Sequence, residues 1–192
     1  TALAGRRIAL NLSGVEVAQV PRGTVVSDRR VPCTPMVDVM YRHLPGAPDL
    51  GDGDPVRLLS GTAEVLGRIH LAVDSDHLSG GEEVPAQLRL ETALPCLPGD
   101  RFVLRRTSPM ETLGGGTILD PWARRMRRKD RLGAGEDLRV LHGGDRSILV
   151  LRGGEEGLSE AEYKERGAQG GTLVGDRWLA APIVARLEGV LL

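Results

Sequence analysis

Four histidines and a scatter of acids are the first side chains to weigh for chemistry. His43, His70, His77 and His142 show no H-E-x-x-H or other paired spacing. His70 and His77 flank Asp74 and Asp76, a grouping that offers either a weak metal site or, more plainly, a solvated turn. Ser60-Gly61 and Ser108-Pro109 lack the setting of a nucleophile elbow, and no Ser/His/Asp set stands out. There is no G-x-x-x-x-G-K-S/T phosphate loop and no G-x-G-x-x-G after a strand. Gly114-Gly115-Gly116 is followed by Thr117-Ile118-Leu119 rather than by a lysine and a helix start. The triplet therefore reads as a bulge or a close approach of backbones in a barrel. No residue is assigned to catalysis or to a metal, and no cofactor is expected in this chain.

Arginine is the residue type left with chemistry to offer. Its guanidinium is a planar fork of donors that keeps its charge, which suits phosphates. Arg101, Arg105 and Arg106 surround the Phe102-Val103-Leu104 run, and Arg89 lies on the candidate strand before it. Arg6 and Arg7 open an alternating run, so they point to opposite faces. Residues 122–131 carry six basic side chains against one acid. That run is either a solvated linker or an RNA-contacting stripe. The barrel arginines likewise read as a charged outer face or as phosphate ligands.

The elements that must hold these groups are mostly strands. Residues 6–12 alternate, with Ile8, Leu10 and Leu12 on one face, and Thr24-Val25-Val26 follows the turn Pro21-Arg22-Gly23. Candidate strands then cover 36–43, 55–60, 62–73, 84–91, 101–106 and 116–119, separated by Gly- and Pro-rich turns. Short strands at this spacing predict a closed or nearly closed antiparallel barrel, so the fold class is mainly β. Past Asp120-Pro121 the pattern turns helical, over 136–142, 145–152, 159–166 and 181–191. Ser159-Glu160-Ala161-Glu162 is a capping box. Residues 171–179 form a hairpin around Gly175-Asp176, and together these predict a small α/β winged-helix-like unit.

The 192 residues carry a net charge of −1, with 41% hydrophobic and only 3% aromatic side chains. Any nucleic-acid contact must then come from local patches, and a base-stacking platform is disfavoured. Cys33 and Cys96 have no C-x-x-C companion, which argues against structural zinc and for buried or half-buried thiols in a reducing cytosol. No run of about 18 apolar residues suggests a membrane span.

Several phrases together resemble selenocysteine-specific elongation factors (SelB type). Ala4-Gly5-Arg6-Arg7-Ile8-Ala9-Leu10-Asn11-Leu12-Ser13-Gly14 with Arg22-Gly23 resembles the end of their second domain. Gly61-Thr62-Ala63-Glu64-Val65-Leu66-Gly67-Arg68 and Ala86-Gln87-Leu88-Arg89-Leu90-Glu91 resemble the middle of the third. Gly99-Asp100-Arg101-Phe102-Val103-Leu104-Arg105, Ser108-Pro109 and Thr112 through Pro121 complete the match, in family order and spacing.

The resemblance implies an elongation-factor-type β-barrel plus a barrel remnant. It divides the chain into 1–30, the end of the second barrel; 31–122, the third barrel; 123–135, a basic linker; and 136–192, a degenerate winged-helix-like domain. The middle of that last unit looks shortened between Arg166 and Gly171. The family delivers selenocysteinyl-tRNA to the ribosome at UGA codons. Its GTPase domain, with GTP and Mg, and the terminal winged helices that grip an mRNA hairpin are expected outside this chain. Arg7 matches a family arginine lining the selenocysteinyl pocket, where a cation distinguishes an ionised selenol from a hydroxyl. Arg68, Arg105 and Arg106 are the expected tRNA backbone contacts. Many relatives carry a histidine just before the Gly-Thr-Ala phrase, where this chain has Leu58-Leu59-Ser60. The implied partners are selenocysteinyl-tRNA and the ribosome, in the cytoplasm. The rival reading is a scaffold of barrels in a related general elongation or initiation factor.

Overall fold

Alternation of inward apolar and mostly polar outward side chains shapes the body of the chain. In the computed structural model, which describes residues 3, 5–28 and 30–190, Val65, Gly67, Ile69 and Leu71 of one strand point inward. Between them Glu64, Leu66, Arg68 and His70 point outward. The strands are β1 (Cys33–His43), β2 (Leu50–Gly51), β3 (Pro55–Ser60), β4 (Ala63–Leu71), β5 (His77–Leu78), β6 (Glu83–Pro95), β7 (Arg101–Arg106) and β8 (Thr112–Asp120). Six of them close into an antiparallel barrel in the order β1-β6-β4-β3-β7-β8, while β2 and β5 pair as a side ribbon. Val37, Val39, Tyr41, Leu58, Ile69, Leu88, Leu104 and Ile118 fill its core. Closure depends on small residues, since a Cβ on Gly116 would collide with the Met40 carbonyl oxygen and one on Gly67 with that of Arg89. The Gly114-Gly115-Gly116 triplet thus works as a close approach of backbones. It lengthens the last barrel strand to Thr112–Asp120, well beyond the expected 116–119.

The N-terminal segment departs from expectation. Among its described residues no strand forms, and the regular structure is a 3-10 turn at Val17–Gln19. Ile8, Leu10 and Leu12 alternate as read but lie exposed. Alternation yields a strand only where a neighbour supplies ladder hydrogen bonds, and none does so here. The segment touches the barrel through Arg22, whose Nε donates to the Thr62 carbonyl at 3.3 Å, and through Gly23 packed on Ala63. Ala4 of the resembling phrase and Leu191 of the last expected helix lie outside the described residues.

Beyond the barrel come α1 (Arg131–His142), α2 (Ile148–Arg152), β9 (Leu158–Ser159), α3 (Glu160–Glu165), β10 (Thr172–Val174), β11 (Arg177–Leu179) and α4 (Ala181–Val190). The strands form a small sheet in the order β10-β11-β9, completing a winged-helix-like unit. Residues 166–171, between α3 and β10, hold no helix. Ser159 caps α3 reciprocally with Glu162, as the sequence predicts. Helix α1 starts at Arg131 rather than 136. Gly133 and Gly135 hid it, yet Gly135 is there because the helix lies against the Ala72 carbonyl, where a Cβ would collide. Helix α2 starts later than 145 because Asp145 Oδ1 accepts from Ser147 N at 2.9 Å and from its Oγ at 2.6 Å, a local turn.

A second core joins this unit to the barrel. Met40 and Leu119, on the barrel's outer face, pack with Leu138, Leu141, Leu149, Val150, Leu158, Ala168 and Ala180. Tyr163 and Trp178 stack at its margin, ring centres 4.3 Å apart.

Candidate nucleic-acid interface

One row of outward side chains crosses four neighbouring strands, because each is the ladder partner of the next: Asp120 of β8, Asp38 of β1, Gln87 of β6 and His70 of β4. The adjacent row holds Met36, Arg89 and Arg68 on β1, β6 and β4. Register alone therefore assembles a polar stripe on a barrel whose inward positions are apolar.

The carboxylate end of the stripe is neutralised by the C-terminal unit. Arg166 Nη2 pairs with Asp120 Oδ2 at 2.6 Å, and Arg152 of α2 pairs with Asp38. All four side chains are largely buried. Burial pushes the Asp38 carboxyl upward, while the Arg152 charge and the Gln87 hydrogen bond pull it back.

At the middle of the stripe, the fully buried Gln87 uses every hydrogen-bonding capacity of its amide. Nε2 donates to Asp38 Oδ1 at 2.8 Å and to the Arg124 carbonyl at 2.9 Å. Oε1 accepts from Met126 N and from Arg89 Nε, both at 3.1 Å. Arg89 Nη2 adds a bond to the Met126 carbonyl at 2.6 Å. The basic run is thereby laid along the barrel wall. Further on, Arg128 and Arg131 both pair with Asp76, at 2.7 and 2.5 Å. The Arg131 hydrogen bond, with help from Arg128, holds the Asp76 carboxyl below its ordinary range. Arg124 pairs with Glu156 at 2.9 Å. The acids near His70 and His77, weighed above as metal ligands or a solvated turn, thus serve as anchors, and His70 is half-buried on β4.

At the far end, positive charge is left over. His70 faces Arg68, Arg89 and Arg125, with Asp52 as the opposing carboxylate, 3.8 Å from its Nδ1. Burial and then Arg89 lower the His70 pKa, with Arg125 and Arg68 adding to the effect against Asp52. Burial and then Arg125 lower that of Arg89. Arg68 Nη1 donates to the Gly53 carbonyl at 2.8 Å, and the exposed Arg125 has no hydrogen-bond or ion-pair partner among the described residues. Crowded cations that depress one another's protonation favour an anion placed between them.

The other expected contacts lie apart from this patch. Arg105 points outward on β7 opposite Arg57 of β3, which is itself paired with Glu64. Arg105 Nη2 reaches the Met110 carbonyl at 3.3 Å. Arg106, the next residue, sends Nη2 toward the Asp49 carbonyl at 3.5 Å. Arg7 is exposed in the N-terminal segment. Cys96 is buried, with its thiol pushed up to about 12 by burial, whereas Cys33 is exposed at the start of β1.

Comparison with known proteins gives this face its context. Residues 37–125 match the family described as "Selenocysteine-specific elongation factor, beta-barrel domain". The barrel belongs to the selenocysteine-specific elongation factor family. A selenocysteine-specific elongation factor of Desulfomicrobium baculatum is 34% identical over 167 residues, which is 85% of this chain and 26% of that protein. The one from Escherichia coli K12 is 33% identical over 136 residues, covering 69% of this chain and 20% of its own length. The chain thus spans about a quarter or less of these elongation factors. A crystal structure of the bacterial factor EF-Sec superposes with a TM-score of 0.60 at 17% identity, over 83% of this chain and 26% of the other, which shows shared fold.

Gln87 and Arg125 lie inside phrases and runs that sequence reading had marked, but with no role of their own. A glutamine between the apolar Ala86 and Leu88 was the available signal for the first. Nothing in the run 124–131 distinguished the free Arg125 from the paired Arg124, Arg128 and Arg131.

Proposed function

We propose that the chain is the non-catalytic, RNA-holding part of a selenocysteine-specific elongation factor, gripping selenocysteinyl-tRNA by its phosphate backbone. The observation that carries this reading is the cluster of Arg68, Arg89 and Arg125 around His70, with Asp52 as the opposing carboxylate, in a chain whose overall charge is −1. Such a patch attracts polyanions locally without a global field. Arg105, one strand beyond β3, and Arg106 extend the phosphate contacts along β7, and Arg7 lines the selenocysteinyl pocket. In the whole factor, GTP and Mg serve a separate GTPase domain, delivery is to the ribosome at UGA codons in the cytoplasm, and mRNA hairpin contacts lie further C-terminal.

Binding of the chain to charged and uncharged tRNA across a salt series tests this. A phosphate-gripping barrel shows affinity that falls steeply with salt. Flat or absent binding overturns the proposal and favours the scaffold reading, for which the buried pairs Asp38–Arg152 and Asp120–Arg166 speak, since they couple the barrel to the helical unit.

A further inference from the structure

We infer that residues 123–127 are a structural strap of the barrel, and that Arg125 on this strap completes, with Arg68 and His70, a single phosphodiester-binding site positioned by Gln87. The inference rests on the RNA-holding reading above and adds to it a residue, a geometry and a positioning group.

Sequence marks the run 124–131 as basic with one acid, Asp130, and the structure divides it. Arg124, Arg128 and Arg131 are consumed in ion pairs with Glu156 and Asp76. Arg125 is exposed, unpartnered among the described residues, and held between Arg124 and Met126, whose backbone is bonded to Gln87, the ladder partner of His70, and to Arg89, the ladder partner of Arg68. A solvated linker would leave all these cations equivalent. Here the backbone on either side of Arg125 is tied down: the Arg124 carbonyl accepts from Gln87 Nε2, the Met126 N–H donates to Gln87 Oε1, and the Met126 carbonyl accepts from Arg89. The direction in which Arg125 leaves the strap is therefore set by a buried amide on β6.

The ligand chemistry follows from the charge balance. Arg89 is occupied by the strap and serves as support. Arg68 keeps Nη2 and Nε beyond its one bond to Gly53, and Arg125 keeps its whole fork. Asp52 is the carboxylate opposing His70, 3.8 Å from its Nδ1, and it also accepts from Leu71 N at 2.7 Å. Two guanidiniums with free donors beside an imidazole suit the non-bridging oxygens of a sugar–phosphate backbone, recognised without regard to base.

The test uses the full chain and a tRNA transcript without an amino acid, with affinity followed across a salt series. Arg125→Ala should lower the slope of log K against log salt by about one charge. Arg186→Ala, which removes the same charge from α4, should leave it unchanged. Gln87→Ala removes no charge, yet should lower the slope as much as Arg125→Ala, and the double variant no further. A role for Gln87 confined to stability would shift the melting temperature and leave the slope intact. If the parent chain binds with a steep slope that Arg125→Ala does not alter, the strap site is overturned and the RNA-holding reading stands. If the parent chain shows no salt-dependent RNA binding, both are overturned.

Discussion

Asp38 and Gln87 face each other across the β1–β6 ladder and are joined side chain to side chain, Gln87 Nε2 donating to Asp38 Oδ1 at 2.8 Å. That bond links two interfaces, which Arg124 of the strap also joins by pairing with Glu156. Asp38 also receives Arg152 from the helical unit, and Gln87 also holds the strap. The outer wall of the barrel is in this sense a second organising surface, polar where the core is apolar.

The Asp38–Arg152 pair is the first place to perturb. Arg152→Met leaves a carboxylate buried without its cation and should cost about 3–5 kcal/mol in denaturant unfolding. Arg124→Ala, whose partner Glu156 is exposed, should cost under about 1 kcal/mol. Equal losses from the two would show that burial of the first pair has no energetic weight.

Closure of the barrel depends on bare backbone at Gly116. Gly116→Ala drives a methyl into the Met40 carbonyl and toward Phe102 and should destabilise by about 1–3 kcal/mol or more. Gly133→Ala, in open space on α1, should be neutral or stabilising by up to about 1 kcal/mol. Thermal melts of the two variants separate close approach from mere helix propensity.

Acid should loosen the Arg128–Arg131 end of the run. The Asp76 carboxyl is held below its ordinary 3.8, so its contribution is complete above that value and is lost as pH falls through the lower, folded value. Hydrogen exchange at residues 128–131 should therefore stay protected through mild acid and speed up only below about pH 4. Loss of protection already at pH 6 would assign the tie to another group.

His70 reports on occupancy. Its pKa lies below the ordinary 6.5, so it is neutral at pH 7; the stability linked to the neutral form is present above that value and fades as pH falls through the folded one. A bound phosphate offsets the surrounding arginines and must raise this pKa. An imidazole titration by NMR with and without tRNA should show an upward shift, and an unchanged midpoint would separate His70 from the bound RNA.

Arg7 is tested in the intact factor. Arg7→Ala should reduce the preference for selenocysteinyl- over seryl-tRNA by about tenfold, the worth of about 1.4 kcal/mol of lost charge interaction. Unchanged discrimination would remove Arg7 from the pocket.

The barrel was legible because buried and exposed positions alternate along β4 and at the start of β7, and the Ser159–Glu162 cap because its signal is local. The segment around Ile8, Leu10 and Leu12 misled, since a strand is made by its partners as much as by its own pattern. The cationic patch was half legible. Arg68 is marked by its phrase, but its pairing with Arg89 and Arg125 depends on register and on a strap that returns 57 positions later in the chain, from Arg68 to Arg125. Asp38 finding Arg152 spans a sequence distance of 114, beyond any local pattern.

The clamped strap has one more consequence. A flexible tether between the barrel and the helical unit would dilute the second contact of any ligand spanning both, with an effective concentration set by its length. With Arg124 and Met126 bonded to β6, that loss has been met during folding. A ligand touching both the barrel face and the helical unit then engages one rigid template, and the two contributions add in full as avidity.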